Sequence, residues 1–138
     1  MKNAILIPAL FAWGLSILAM LGSLYFSEVM HFPPCTLCWY QRIAIYPLAF
    51  LIPMGIIRKD VNLPYYILSI IVPGFLVSIY HNLLYYGILP ETIAPCAQGV
   101  SCITKYIEWY GFITIPLLSL FTITAIMISM FVLIRNQK

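Results

Sequence analysis

"AILIPALFAWGLSILAMLGSLYF", Ala4 to Phe26, contains no Asp, Glu, Lys or Arg. As an α-helix rising about 1.5 Å per residue it would be roughly 35 Å long, enough for a hydrocarbon core of about 30 Å. Three further stretches behave alike. Val61 to Pro90 and Tyr110 to Ile134 carry no such charge, and Trp39 to Ile57 carries only Arg42. In hydrocarbon every backbone N–H and C=O needs an internal partner, so each span is expected to be helical. The runs are continuously apolar and do not alternate, which excludes a β-barrel. Of the 138 residues 63% are hydrophobic and 8% charged, against about 25% charged in soluble domains. The expected fold is an all-α integral membrane four-helix bundle forming one domain, residues 1–138, with helices over about 4–26, 36–57, 63–87 and 110–134. Lys2 ahead of an apolar run resembles a secretory leader. The run is too long and no small-x-small cleavage site follows, so an uncleaved helix is expected.

Four spans leave three loops: Ser27 to Pro34, Arg58 to Leu63, and Ile88 to Trp109. Lys2, Arg58, Lys59, Arg135 and Lys138 gather on the side of the termini and the second loop, with Lys105 opposite. The positive-inside rule then predicts cytoplasmic N and C termini and two extracytoplasmic loops. The net charge of +3 comes without a basic cluster, so no nucleic-acid partner is expected. Pro8, Pro47, Pro53, Pro73 and Pro116 fall within spans and predict kinks. Gly22, Ser23 and Gly74 suggest close helix contacts.

All four cysteines lie on the predicted outer side: Cys35 and Cys38 where helix two begins, Cys96 and Cys102 in the long loop. Cysteines serving as small apolar fillers would scatter through the spans; this segregation points to thiol chemistry in an oxidising compartment. Of three possible pairings, the local ones, Cys35–Cys38 and Cys96–Cys102, need the least loop closure, with Gly99 available for a turn in "CAQGVSC". Structural disulfides are disfavoured because a Cys-x-x-Cys loop constrains the unfolded chain very little. A zinc site has a plausible cysteine count, but an oxidising compartment works against free thiolates, and no metal is expected. Two communicating redox disulfides remain the favoured reading.

In "PPCTLCWYQR", residues 33–42, the prolines predict a helix start near Cys35. A helix N-terminus favours a thiolate in its first turn. Cys35, Cys38 and Arg42 share one face by their spacing, which is expected to point at the membrane. Arg42, permanently charged, should stabilise negative charge near Cys38; the bland alternative is an arginine snorkelling to headgroups. Ser78, His81, Asn82 and Tyr85 share a face of helix three. They form either an interhelical hydrogen-bonding stripe or a polar wall of the same pocket. Trp39, Tyr40, Tyr46, Tyr80, Tyr85 and Tyr86 could line that pocket or form an interfacial belt. A protein whose outer thiols are oxidised repeatedly must shed two electrons each time. No Gly-x-Gly-x-x-Gly or Cys-x-x-Cys-His motif supplies a flavin or haem, so a membrane quinone is the expected acceptor.

Four spans, "PPCTLCWYQR" at the second, "YHNLLYYG" late in the third and a cysteine pair between the third and fourth resemble the DsbB family over essentially the whole chain. "CTLCWYQR" and the compact "PCAQGVSC" resemble its short Gram-positive branch, BdbC. The resemblance implies a thiol:quinone oxidoreductase. It would reoxidise a thioredoxin-like extracytoplasmic thiol oxidase, DsbA- or BdbD-like, and pass two electrons to ubiquinone or menaquinone. It implies further that Cys38 is quinone-proximal and Cys35 its partner. Arg42 and His81 would contact the quinone, Cys96 would take the mixed disulfide, and Cys102 would exchange with Cys35. Two features differ from longer members: the second pair is separated by five residues rather than a long loop, and Gln41 replaces an acid often found before the arginine. A vitamin K epoxide reductase resembles the architecture too, but its Cys-x-x-Cys falls late in the chain. A small transporter should carry an acid within a span, and none is present; a metal-binding membrane protein is the other non-enzymatic alternative.

Overall fold

The computed structural model describes residues 3–90, 92, 101–103 and 113–138. Helix α1 (Asn3–Leu24) runs on into one π-helical turn, Tyr25–Val29. Helices α2 (Thr36–Ile45) and α3 (Leu48–Arg58) together make the second span. Helices α4 (Leu63–Tyr85) and α5 (Ile115–Gln137) make the third and fourth. The four spans expected from the long apolar runs are thus present. Cys96, Gly99 and residues 110–112, where the fourth helix was expected to begin, lie outside the described residues.

Proline shapes these helices in three different ways. Pro47 ends α2, because its missing N–H breaks the ladder that Tyr46 still joins through Arg42 O. Pro8, Pro53 and Pro73 stay within helices. Pro116 is no kink: it sits in the first turn of α5, where its missing donor costs nothing. The Thr114 side chain caps that helix by accepting from Leu117 N at 3.3 Å.

Helix α1 packs on α3 and α5, and α4 packs on α2 and α5. In the half of the bundle nearer the termini the interior is solid. Ala9, Ala12, Ile52, Ile67, Ile123, Ile126 and Met130 are fully buried there. Gly74 lets α2 approach α4: a Cβ at that position would stand 2.6 Å from Ala44 Cβ. Gly22 does the opposite of what its sequence context suggests, with nothing within 4 Å of its Cβ direction. Outward faces remain apolar, with Leu18, Phe50 and Phe121 about two-thirds exposed or more, as a lipid-facing surface requires. Side chains tie neighbouring spans: Trp13 Nε1 donates to Ala49 O at 3.0 Å, and Asn82 Nδ2 donates to Pro116 O at 2.9 Å. Such interhelical bonds contribute about 0.6 kcal/mol each on average.

Candidate active site

The cysteine pair sits where the solid interior gives way. After the π-helical turn, Phe32 N returns to Phe26 O at 2.9 Å and the two rings stack at 6.4 Å. His31 occupies the left-handed region at φ 56° to make that reversal. Pro33 and Pro34 then deliver Cys35 as the N-cap of α2, in extended geometry. Cys38 follows one turn later. Both are free thiols, with sulfurs 3.2 Å apart in hydrogen-bonding contact. A shift of about 1.1 Å would bring them to disulfide bonding distance.

His81 comes to this pair from α4. Its Nε2 lies 3.9 Å from Cys35 Sγ and 3.3 Å from Cys102 O. On its other side Nδ1 lies 3.1 Å from Gln41 Nε2. An amide NH₂ only donates and a carbonyl oxygen only accepts. Both neighbours therefore require the same tautomer of the neutral ring, with the proton on Nε2. The Gln41 amide, bonded to Nδ1, thus leaves the His81 Nε2–H facing the Cys102 carbonyl and the Cys35 sulfur. The Cys35 thiol is pulled down to about 4, first by the hydrogen bond from the Cys38 thiol and further by His81, against the opposing effect of burial. Cys35 is thereby the resident thiolate. Cys102 is disulfide-bonded, and since Cys35 and Cys38 are free its bond is to neither of them. It is buried in one cluster with Cys35, Leu37 and Leu84. That cluster brings one cysteine of the long loop directly to the Cys-x-x-Cys.

Cys38, Arg42 and His81 line a cavity of about 380 Å³, within the usual range for small-molecule sites. Its walls are largely apolar, and Leu18 of α1 and Leu118 of α5, both outward-exposed, stand at its rim. The cavity therefore reaches the lipid-facing surface between those helices. The face carrying the cysteines points into this cavity, where it was expected to point at the membrane directly. The α1 helix covers it, and Gly22, having no side chain, leaves the space open.

A thiolate held beside a second thiol, a disulfide-bonded cysteine packed against both, and an apolar chamber open to the bilayer describe a membrane thiol–disulfide centre. A family model described as "Disulfide bond formation protein DsbB" matches residues 6–133. The chain belongs to the DsbB family. It is 44% identical to Disulfide bond formation protein C of Bacillus subtilis, over all of this chain and 99% of that one. It is 42% identical to Probable disulfide formation protein C 1 of Bacillus anthracis over 91% of each. The Probable disulfide formation protein of Oceanobacillus iheyensis is 39% identical over 93% of this chain and 89% of its own. No solved structure matches. Membership in the DsbB family makes this a multi-pass membrane protein of the disulfide-forming oxidoreductase class.

Within this DsbB-family chain the expected site residues are distributed as follows. Cys35, Cys38, Arg42, His81 and Cys102 line the same cavity, and Cys96 lies outside the described residues. Ser78, His81, Asn82 and Tyr85 form one buried face of α4. Arg42 does not point straight at Cys38: its Nη2 donates to Ser23 O of α1 at 3.1 Å, and its guanidinium lies 5.2 Å from the Trp39 ring. Trp39, Tyr40 and Tyr86 are about half exposed on the outer surface, whereas Tyr46 and Tyr85 line the cavity. Gln41, 5% exposed, stands out in the sequence only for the charge it lacks, yet its place three residues after Cys38 puts it on the cysteine side of the helix. Ser119 of α5, also on the cavity wall, carries no sequence signal at all.

Proposed function

We propose that this chain reoxidises a thioredoxin-like extracytoplasmic thiol oxidase and passes the two electrons to a membrane quinone held in the cavity. The supporting observation is that one chamber, reached from the lipid side, is lined by Cys38 and Arg42 together with Tyr46 and Ser119, whose hydroxyls have no partner among the described residues. A buried hydroxyl left unpaired costs about 1–3 kcal/mol, and a ring bearing carbonyl oxygens offers acceptors to hydroxyls turned toward it. The chamber thus fits a quinone in size, polarity and access. When bound, the quinone accepts two electrons and two protons.

Each of the chain's own groups has a part in the relay. A thiolate of the partner attacks the disulfide between Cys96 and Cys102, and the partner leaves oxidised. The outer pair, now a dithiol, attacks the Cys35–Cys38 disulfide and returns to its own oxidised form. Cys102 is the exchanging member, consistent with its packing against Cys35. Cys35 emerges as the thiolate stabilised by Cys38 and His81. Cys38, facing the chamber, is the sulfur from which the electron pair leaves as the Cys35–Cys38 bond closes again. Arg42 supplies fixed positive charge where negative charge develops, and its bond to Ser23 O holds it at the chamber wall. His81 carries the proton nearest Cys35 at Nε2. The termini are assigned to the cytoplasm and the cysteine loops to the outside by the distribution of Lys and Arg.

Replacing Arg42 with Met tests the binding role. The variant should raise the apparent KM for a soluble quinone analogue about tenfold or more, the effect of losing one charge-assisted contact of about 1.5–3 kcal/mol. Disulfide exchange with a reduced thioredoxin-like partner in a single turnover should stay unchanged. Equal loss of both activities would make Arg42 a folding residue instead.

A further inference from the structure

Cys35 Sγ, Cys38 Sγ and a ring nitrogen of His81 all lie within 4.8 Å of one another. Among the described residues no other group of three His, Cys, Asp or Glu brings its ligand atoms so close. The spacing is specific. Zinc bonds of about 2.3 Å to sulfur and 2.0–2.1 Å to nitrogen, arranged tetrahedrally, separate the donors by about 3.5–3.8 Å. Cys35 and Cys38 are 3.2 Å apart, and Cys35 and His81 Nε2 are 3.9 Å apart. Small movements of the sulfurs bring both distances into that interval. Two thiolates and one imidazole with an open fourth position form a known donor set for zinc. Here the open position faces the cavity that both cysteines and His81 line.

The surroundings are also suitable. A ligating imidazole needs a partner for its second nitrogen, and Gln41 already occupies that place at 3.1 Å from Nδ1. Turning the Gln41 amide presents Oε1 to Nδ1, so that the ring proton can reside there and Nε2 is freed to ligate. Burial excludes competing water, with His81 2% and Cys35 5% exposed.

We infer that the dithiol form of the site binds one thiophilic divalent ion of the zinc class through Cys35, Cys38 and His81. Cys35 is already a thiolate, so binding releases the one thiol proton of Cys38, moves the imidazole proton from Nε2 to Nδ1 and changes no oxidation state. Forming the Cys35–Cys38 disulfide removes two of the three ligands, so the oxidised site releases the ion. The same exclusivity works in reverse: an ion on both sulfurs prevents their oxidation. The site is therefore a redox-gated metal trap in which zinc holds the protein reduced. This differs from a four-cysteine zinc site, because the outer pair takes no part. It also does not depend on which acceptor collects the electrons.

The test uses the full chain with Cys96→Ser and Cys102→Ser, purified in detergent, so that Cys35 and Cys38 are the only thiols. One preparation is divided into a reduced portion and a portion reoxidised to the Cys35–Cys38 disulfide. Both are titrated with Zn²⁺ alone against a chromophoric chelator. The dithiol form should take up one Zn²⁺ per chain and the disulfide form none. Adding His81→Ala should weaken uptake at least tenfold, and Gln41→Leu by about 10–100-fold, as for other residues that support a ligating histidine. Equal uptake by the two redox forms would overturn the assignment, as would full-strength uptake by a folded His81→Ala chain. The redox comparison uses a single polypeptide, so it decides the question even if His81→Ala misfolds.

Discussion

Cys35 and Cys38 are three residues apart and chemically unequal. Cys35 caps α2 and is held ionised by the Cys38 thiol and His81, while Cys38 faces the chamber. An ordinary thiol titrates near 8.5, so its alkylation slows about tenfold for each pH unit below that. A Cys35 thiol pulled down to about 4 is already thiolate at pH 5. Alkylation of Cys35 in the reduced chain, followed site by site by mass spectrometry, should therefore be nearly flat from about pH 5 to 8 and fall only as pH approaches 4. A tenfold slope per unit across that range would contradict the assignment. At this scale the sequence was most legible where residues are chemically unusual. Cysteines confined to one side, a histidine within a span and an arginine beneath a cysteine each stand out against apolar surroundings. Gln41, Tyr46 and Ser119 do not, because an amide or a hydroxyl in a span is ordinary until its partners are known.

The elements show which proline and glycine signals have meaning. Long apolar runs predict four spans, and four spans are found. They could not separate α2 from α3, because proline at an interior position either bends a helix or ends it according to what packs beside it. Nor could they tell Gly74, pressed against Ala44, from Gly22, which borders open space. Gly74→Ala should force α4 from α2, lowering stability by about 1–3 kcal/mol and loosening the Gln41–His81 contact that joins the same two helices. Ala44→Gly in the same chain should restore most of the loss. The check is thermal unfolding in detergent; a Gly74→Ala chain as stable as the parent, or no rescue by Ala44→Gly, would remove the close approach from the account.

For the molecule as a whole, the division of the interior matters most. The half near the termini is filled by residues such as Ile67, Ile126 and Met130, and the half near the cysteine loops contains the chamber. Hydropathy cannot report such a division, since packed and lipid-facing positions are equally apolar. What signals it is the polar face Ser78, His81, Asn82 and Tyr85 opposite the Cys-x-x-Cys, which a solid apolar core would exclude. Gly22→Phe adds a ring on the chamber wall, at a position where a Cβ meets nothing within 4 Å. It should reduce quinone turnover at least tenfold and leave exchange with the partner intact; unimpaired quinone use would mean that the acceptor binds elsewhere.

On the proposed function, electrons from extracytoplasmic thiols leave through Cys38 to a quinone. This is tested by supplying the purified chain with a reduced thioredoxin-like partner and a quinone analogue and following quinone absorbance. One quinone should be consumed per partner disulfide formed, and none after Cys38→Ser. Quinone loss that continues at the parental rate in the Cys38→Ser chain would contradict it.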